Sequence, residues 1–162
     1  MMTETGNRST VTFDRGYRAT LDEVWELWTT KDGFESWWGP EGFSVKVHEL
    51  DARPEGLLRY DMIATAPEVI EGMKKMGMPL STPSSLTYTE LTPKRRLAYR
   101  HAVDFIPGVA PYTVSTVVEF EAKDGIVRMT VTSDAMHSKE WTERASMGMA
   151  SQLNKLDKRF QR

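Results

Sequence analysis

Residues 112–160, YTVSTVVEFEAKDGIVRMTVTSDAMHSKEWTERASMGMASQLNKLDKRF, change their apolar period once. Up to Ser133 the chain is rich in β-branched and aromatic residues, and Lys123-Asp124-Gly125 supplies a hairpin turn. Two antiparallel strands are therefore expected, Tyr112 to Ala122 and Ile126 to Ser133. After Ser138 the period becomes helical. Trp141, Ala145, Gly148, Met149, Gln152, Leu153, Leu156 and Phe160 fall on one stripe, with Lys139, Glu143, Lys155 and Arg159 off it. A sheet and a long helix with one apolar side each must bury those sides against one another, so this order predicts an antiparallel sheet curved around the terminal helix.

Working back towards the start, Arg96 to Asp104 and Ser85 to Leu91 read as a strand pair around Thr92-Pro93-Lys94. Leu57 to Ala64 and Phe43 to Leu50 pair across Arg53-Pro54-Glu55-Gly56, and Ser9 to Ala19, with Val11, Phe13, Arg15 and Tyr17 alternating, is the first strand. Thr20 and Glu23 form a capping-box pattern ahead of Leu21, Val24, Trp25 and Trp28 at helical spacing. Asp32-Gly33 is expected to break that helix, and Phe34 to Trp38 to add one short turn before Gly39-Pro40. The prediction is an α+β fold: seven strands in one curved antiparallel sheet, two short helices after the first strand, and a long C-terminal helix. Residues 1–8 are expected to be a flexible N-terminus and 9–162 a single domain. Within it, 66–83, broken by prolines and glycines around a helical stretch from Glu68 to Met76, reads as an insertion or lid over the sheet.

Composition narrows the function. At 162 residues one domain can bury about two thirds of its unfolded surface. A net charge of -2 lacks the basic excess that phosphate neutralisation needs, so nucleic acid is not an expected partner. No run approaches the roughly 18 apolar residues of a membrane span, and Met1 to Asn7 is polar rather than a secretion signal, which predicts a cytoplasmic location. The absence of cysteine excludes disulfides and thiolate chemistry.

Val24-Trp25-Glu26-Leu27-Trp28, Trp37-Trp38-Gly39-Pro40, Asp51-x-Arg53-Pro54-x-Gly56 with Arg59 and Met62, and Gly148-Met149-x-x-x-Leu153-x-x-Leu156 together resemble the homologues of the activators of the 90-kDa heat-shock-protein ATPase. These form a branch of the START and birch-pollen-allergen-like helix-grip superfamily, SRPBCC. The resemblance covers nearly the whole chain. It departs at Glu55, where a second glycine is common, and at Met149, where the family often has tryptophan. It implies a helix-grip fold with a cavity between sheet and terminal helix, in which members bind lipids, hormones, polyketides or nothing known. It implies no single shared reaction, and function has to be argued from the site.

Strong enzymatic motifs are absent: no phosphate-cradling glycine loop, dinucleotide fingerprint, nucleophile elbow or metal-binding His-Glu-x-x-His helix. His48, His101 and His137 have no ligand spacing, so neither a metal nor a cofactor is expected. His101 shares a strand face with Leu97, Tyr99 and Val103 and is expected to point inward. Arg59 alternates against Leu58, Tyr60 and Met62 and is expected to face away from them if they face the cavity, with anchoring the turn near Asp51 or ligand contact as its two roles. Of the adjacent Trp37 and Trp38, one is expected to face the core and the other the cavity mouth. The leading expectation is binding of a small hydrophobic or amphipathic molecule in a cavity lined by Trp38, Leu58, Tyr60, Met62, Tyr88, Tyr99, His101, Val118, Met129, Trp141, Ala145, Met149 and Gln152. Met73 and Met76 would close it, since flexible thioethers suit a surface that remoulds around apolar partners. A cyclase- or hydrolase-type enzyme using Tyr99 and His101 is the alternative, and a chaperone-interacting module the third reading. A monomer or a homodimer is expected, the latter through exposed aromatics such as Trp37.

Overall fold

The computed structural model describes residues 9–160. The elements run β1 Thr10–Tyr17, α1 Leu21–Thr29, α2 Lys31–Glu35, β2 Phe43–Leu50, β3 Leu57–Ala64, α3 Pro67–Lys75, β4 Ser81–Thr92, β5 Arg96–Val103, β6 Tyr112–Lys123, β7 Ile126–Asp134 and α4 Lys139–Arg159. All seven strands form one antiparallel sheet in the order β1-β7-β6-β5-β4-β3-β2. Strands β2 to β7 are a meander, and β1 adds beside β7. The α1–α2 connection therefore has to pass from one edge of the sheet to the other, and it lies across one end of the concave face. This is the expected α+β helix-grip architecture. No helix among the described residues is long and apolar enough to cross a membrane.

Two local features differ from the sequence reading. Gly33 does not break a helix; it lies inside α2, which starts directly after α1. Thr30 serves both helices, donating its hydroxyl to the Glu26 carbonyl at 2.9 Å and accepting from the Gly33 N–H at 3.0 Å. A Cβ on Gly33 would stand 2.0 Å from the Glu26 carbonyl oxygen, so glycine here permits close helix approach rather than ending a helix. Second, β4 begins at Ser81, four residues earlier than predicted, which shortens the insertion. Pro83 is tolerated because that half of β4 pairs only with β3.

The α1 cap forms as predicted, Thr20 Oγ1 accepting from the Glu23 N–H and the Glu23 carboxylate from the Thr20 N–H. The hairpin turn at Asp124 and Gly125 has φ of 54° and 79°, the conformation a two-residue turn demands. Inward residues alternate along the strands: Val127, Met129 and Val131 on β7, Val114, Thr116, Val118 and Phe120 on β6, Leu97 and Tyr99 on β5.

The α1–α2 unit fills one end of the concave face with aromatic rings. Trp28 meets Trp37 at 4.9 Å and Trp38 at 5.6 Å between centroids, and Phe34 stacks on Trp38 at 4.7 Å. Trp37 donates Nε1–H to the Leu27 carbonyl (2.8 Å), and Tyr88 donates its hydroxyl to the Trp28 carbonyl (2.7 Å). Trp37 and Trp38 are both buried, at 1% and 6% exposure, because α2 has ended and their rings diverge by 87°. Trp37 belongs to the core and offers no exposed surface for a dimer, while Trp38, also buried, borders a cavity.

The C-terminal half of α4 is stitched to the loop that follows these tryptophans. The Gly39 N–H donates to Gln152 Oε1 (2.8 Å), the Glu41 N–H to Ser151 Oγ (2.8 Å), and Lys155 Nζ to the Phe43 carbonyl (2.9 Å). Gln152, Leu153 and Leu156 are the buried residues of α4.

Arg59 faces away from the core as expected, but its partner is Glu49 across the β2–β3 ladder (3.0 Å). Asp51 is taken by Arg53 (2.7 Å). In the β2–β3 turn Glu55 adopts φ 66°, held by a two-pronged pair with Arg100 at 2.8 and 3.1 Å, where a glycine would meet no strain. At Gly56 a Cβ would stand 1.9 Å from the Asp51 carbonyl oxygen. Gly56→Ala should therefore cost about 2 kcal/mol or more, whereas Gly125→Ala, with open space around it, should cost only about 1 kcal/mol for the left-handed backbone. Urea denaturation of both variants checks the ranking; equal losses would contradict it.

Candidate functional site

Because the aromatic cluster occupies one end of the concave face, the two halves of α4 meet different surroundings. From Lys139 to Ala150 no α4 residue is buried, and the face towards the sheet carries Ala145, Ser146 and Gly148. A Cβ on Gly148 would meet nothing within 4 Å. Between this half of the helix and the sheet lies a cavity of about 430 Å³, within the range of small-molecule sites.

The sheet opens beside it. Pairing of β4 with β5 stops at Thr87 and Arg100, after an irregularity between Tyr88 and Glu90. Beyond that point β4 continues with β3 as far as Ser81, and β5 continues with β6 as far as Val103. Ser84, Ser85 and Leu86 on one lip and His101 and Ala102 on the other all line the cavity. A bulge adds twist and re-aims the strand, which accounts for the divergence.

The walls combine an aromatic and thioether surface with a few polar groups. Trp38 donates Nε1–H to the Tyr60 hydroxyl at 3.0 Å, and Tyr60 is also bonded to Ser84. Tyr99 is bonded to Thr116, whose hydroxyl lies 2.7 Å from that of Ser133. Burial pushes both tyrosine hydroxyls well above their usual titration range, so they remain neutral hydrogen-bonding groups. His101 lines the cavity with no hydrogen-bond partner among the described residues, and its burial holds the imidazole below its ordinary pKa. Two carboxylates, Asp104 and Asp134, also line it; Asp134 accepts from the Ser115 N–H at 3.0 Å.

Of the residues assigned to the cavity from sequence, Trp38, Tyr60, Met62, Tyr99, His101, Ala145, Met149 and Gln152 are brought together around it. Leu58, Tyr88, Val118 and Met129 have the correct inward phase but do not reach it. They are fully buried under the aromatic cluster at the filled end of the sheet. Trp141 is not among the lining residues; half-buried, it packs edge-on against Phe105 (5.9 Å), which does line the cavity, and carries the Arg144 guanidinium over its ring at 4.9 Å.

Met73 and Met76 do not close the cavity. Their helix, α3, is anchored to the turn before β2, where the Thr65 and Ala66 N–H groups donate to the Gly42 carbonyl and Val69 packs on Gly42. Met76 is 68% exposed. Val11 and Phe13 of β1 and Thr116 and Ser133 are lining residues that the sequence reading passes over. Thr116 could have been found, since it lies between Val114 and Val118 on the inward phase of β6.

The three histidines lie apart, His48 against Asp61 (2.9 Å), His137 against Tyr112 (2.7 Å) and His101 in the cavity. No three His, Asp or Glu side chains converge among the described residues.

Comparison with solved structures returns the same fold at low identity. An X-ray structure of a Chromobacterium violaceum protein superposes with a TM-score of 0.74 at 20% identity, covering 93% of this chain and 96% of that one. The AHSA1 protein of Silicibacter pomeroyi gives 0.70 at 18% identity, covering 91% and 94%. CalU16 from Micromonospora echinospora gives 0.62 at 16% identity, covering 91% and 73%. No curated protein sequence matches. Residues 18–161 match the family described as Activator of Hsp90 ATPase homolog 1-like protein, and the chain belongs to that family.

Proposed function

We propose that the protein binds a small hydrophobic or amphipathic molecule in the cavity between the sheet and the N-terminal half of α4. The observation that carries this reading is the cavity itself. A helix of 21 residues packs tightly over its last three turns, yet holds its first three off the sheet above about 430 Å³ of space. Interiors normally pack at crystal-like density, so a helix held off the sheet over this much space leaves room that a guest can fill in place of water. Its walls of Trp38, Tyr60, Tyr99, Met62 and Met149 suit an apolar guest, and the two thioethers adapt to irregular shapes. Helix-grip folds of this family are ligand-binding scaffolds, which agrees with the proposal without naming the guest.

A cyclase- or hydrolase-type reaction would draw on His101 and Tyr99, neighbours on the inward face of β5. A general base is normally oriented by a second hydrogen bond, and His101 has none among the described residues. Binding is therefore the better supported reading. For a chaperone-interacting role the exposed large apolar side chains among the described residues, Met76, Met78, Phe105 and Met147, lie on three separate segments of the chain, and no observation singles out a partner surface.

Titration with the neutral fluorophore 1-N-phenylnaphthylamine should give saturable fluorescence enhancement. Gly148→Leu, which places a side chain in the open space beside α4, should weaken that binding at least tenfold while keeping or raising the melting temperature. Absence of enhancement in the wild type, or unchanged affinity in the folded variant, would sink the proposal. A second outcome concerns pH. Because burial depresses the His101 pKa, the unfolded chain takes up its proton first as pH falls below about 6.5. Stability from this group is thus complete above that pH and lost towards the lower folded-state pKa. His101→Gln should show a shallower fall in melting temperature between about pH 7 and 5; parallel curves would contradict this.

A further inference from the structure

Gln152 is the buried polar side chain of α4, at 6% exposure, and it lines the cavity. Its Oε1 accepts the Gly39 N–H at 2.8 Å, and that bond fixes which way the amide faces, since the opposite orientation would set two donors against each other. The Nε2 group is left with two N–H donors. Its partner is Met149 Sδ at 3.5 Å, a weak acceptor at long range. A buried amide donor normally finds an oxygen. Among the described residues none supplies one, and the side chain borders open space.

The other polar groups narrow what that oxygen belongs to. His101, also without a partner among the described residues, can donate or accept according to its tautomer, so it suits a carbonyl or a hydroxyl equally. The charged groups on the cavity wall are Asp104 and Asp134, and no lysine or arginine stands among its described lining residues. Lys155, the cation on the neighbouring turn of α4, turns instead to the backbone carbonyls of Phe43 and Trp38. A carboxylate or phosphate placed here would give up hydration close to Asp104 with no lysine or arginine among the described lining residues to replace it.

We infer that the cavity selects an uncharged, oxygen-bearing apolar molecule, such as a ketone, ester, quinone or phenol, and that the Gln152 amide N–H is the donor that recognises its oxygen. This rests on the cavity being a binding site. It adds that the site discriminates by the ligand's head group and not only by its apolar bulk. Both ends of the Gln152 amide are then used, the oxygen holding the loop after Trp38 and the nitrogen reading the guest.

The test is displacement of bound 1-N-phenylnaphthylamine at pH 7.5 by three molecules with similar tails, 2-undecanone, sodium decanoate and decylamine. The ketone should release the probe at a concentration at least tenfold below decanoate and below decylamine. In Gln152→Met, and in Gln152→Glu, which keeps an acceptor for Gly39, the ketone's apparent affinity measured relative to that of the probe in the same variant should fall roughly tenfold. Circular dichroism identifies the folded variant to be scored. Equal release by ketone and decanoate, stronger release by decylamine, or an unchanged ketone affinity in either folded variant would overturn this inference and leave the binding site standing. A wild-type protein that takes up no probe would overturn both.

Discussion

The wedge of aromatic rings from α1 and α2 decides where the terminal helix can touch the sheet. Trp28, Phe34, Trp37 and Trp38 pack edge-on and face-on against one another and against Tyr60 and Tyr99. Rings of this size fill the concave face at one end and give α4 an apolar floor for Leu153 and Leu156. Past Gln152 the floor stops, while the helix, rigid through its backbone hydrogen bonds, runs straight on. The cavity is the space left where a long helix rests on a wedge at one end of a curved sheet.

The polar chemistry follows the same division. At the filled end the fully buried indoles and phenol have protein partners: Trp37 the Leu27 carbonyl, Tyr88 the Trp28 carbonyl, Trp28 the Met129 sulfur at 3.4 Å. Tyr17, under the end of α4, donates to Asp157 at 2.7 Å. At the open end the network thins. Tyr60 and Tyr99 are satisfied through Ser84, Trp38 and Thr116, while Gln152 Nε2 and His101 have weak partners or none among the described residues. Satisfied polar groups make a rigid wall, and the exceptions are places where a guest can replace water.

Much of this is readable from the sequence, and the boundary of legibility is physical. Period-two alternation tells which face of each strand points inward, so Tyr60, Tyr99 and His101 fall on the correct side. It carries no information about how far along each strand the filled region extends. Leu58, Tyr88, Val118 and Met129 share the phase of the cavity residues and differ from them only in lying under the α1–α2 wedge, a long-range packing fact. Gly33 reads as a breaker because close helix approach and helix termination ask for the same residue. The methionine-rich α3 has the composition of a lid, but its position is set by backbone bonds to Gly42, which composition does not reveal. The lips of the sheet at Ser84 and His101 depend on where a ladder stops, and no local pattern marks that.

On the proposed reading, a ligand occupies the space between the N-terminal half of α4 and the β4–β5 opening. Eight of the ten methionines lie among the described residues and are distributed as reporters of this. Met62, Met136 and Met149 line the cavity, whereas Met129 is in the filled core, Met73, Met76 and Met78 are on or beside α3, and Met147 is on the outer face of α4. With methyl-¹³C methionine labelling, titration of a neutral apolar ligand into the protein should shift the methyl resonances of Met62, Met136 and Met149 and leave those of Met73, Met76, Met78 and Met147 in place. Shifts confined to the α3 methionines or to Met147, with the three cavity methyls unmoved, would contradict the account.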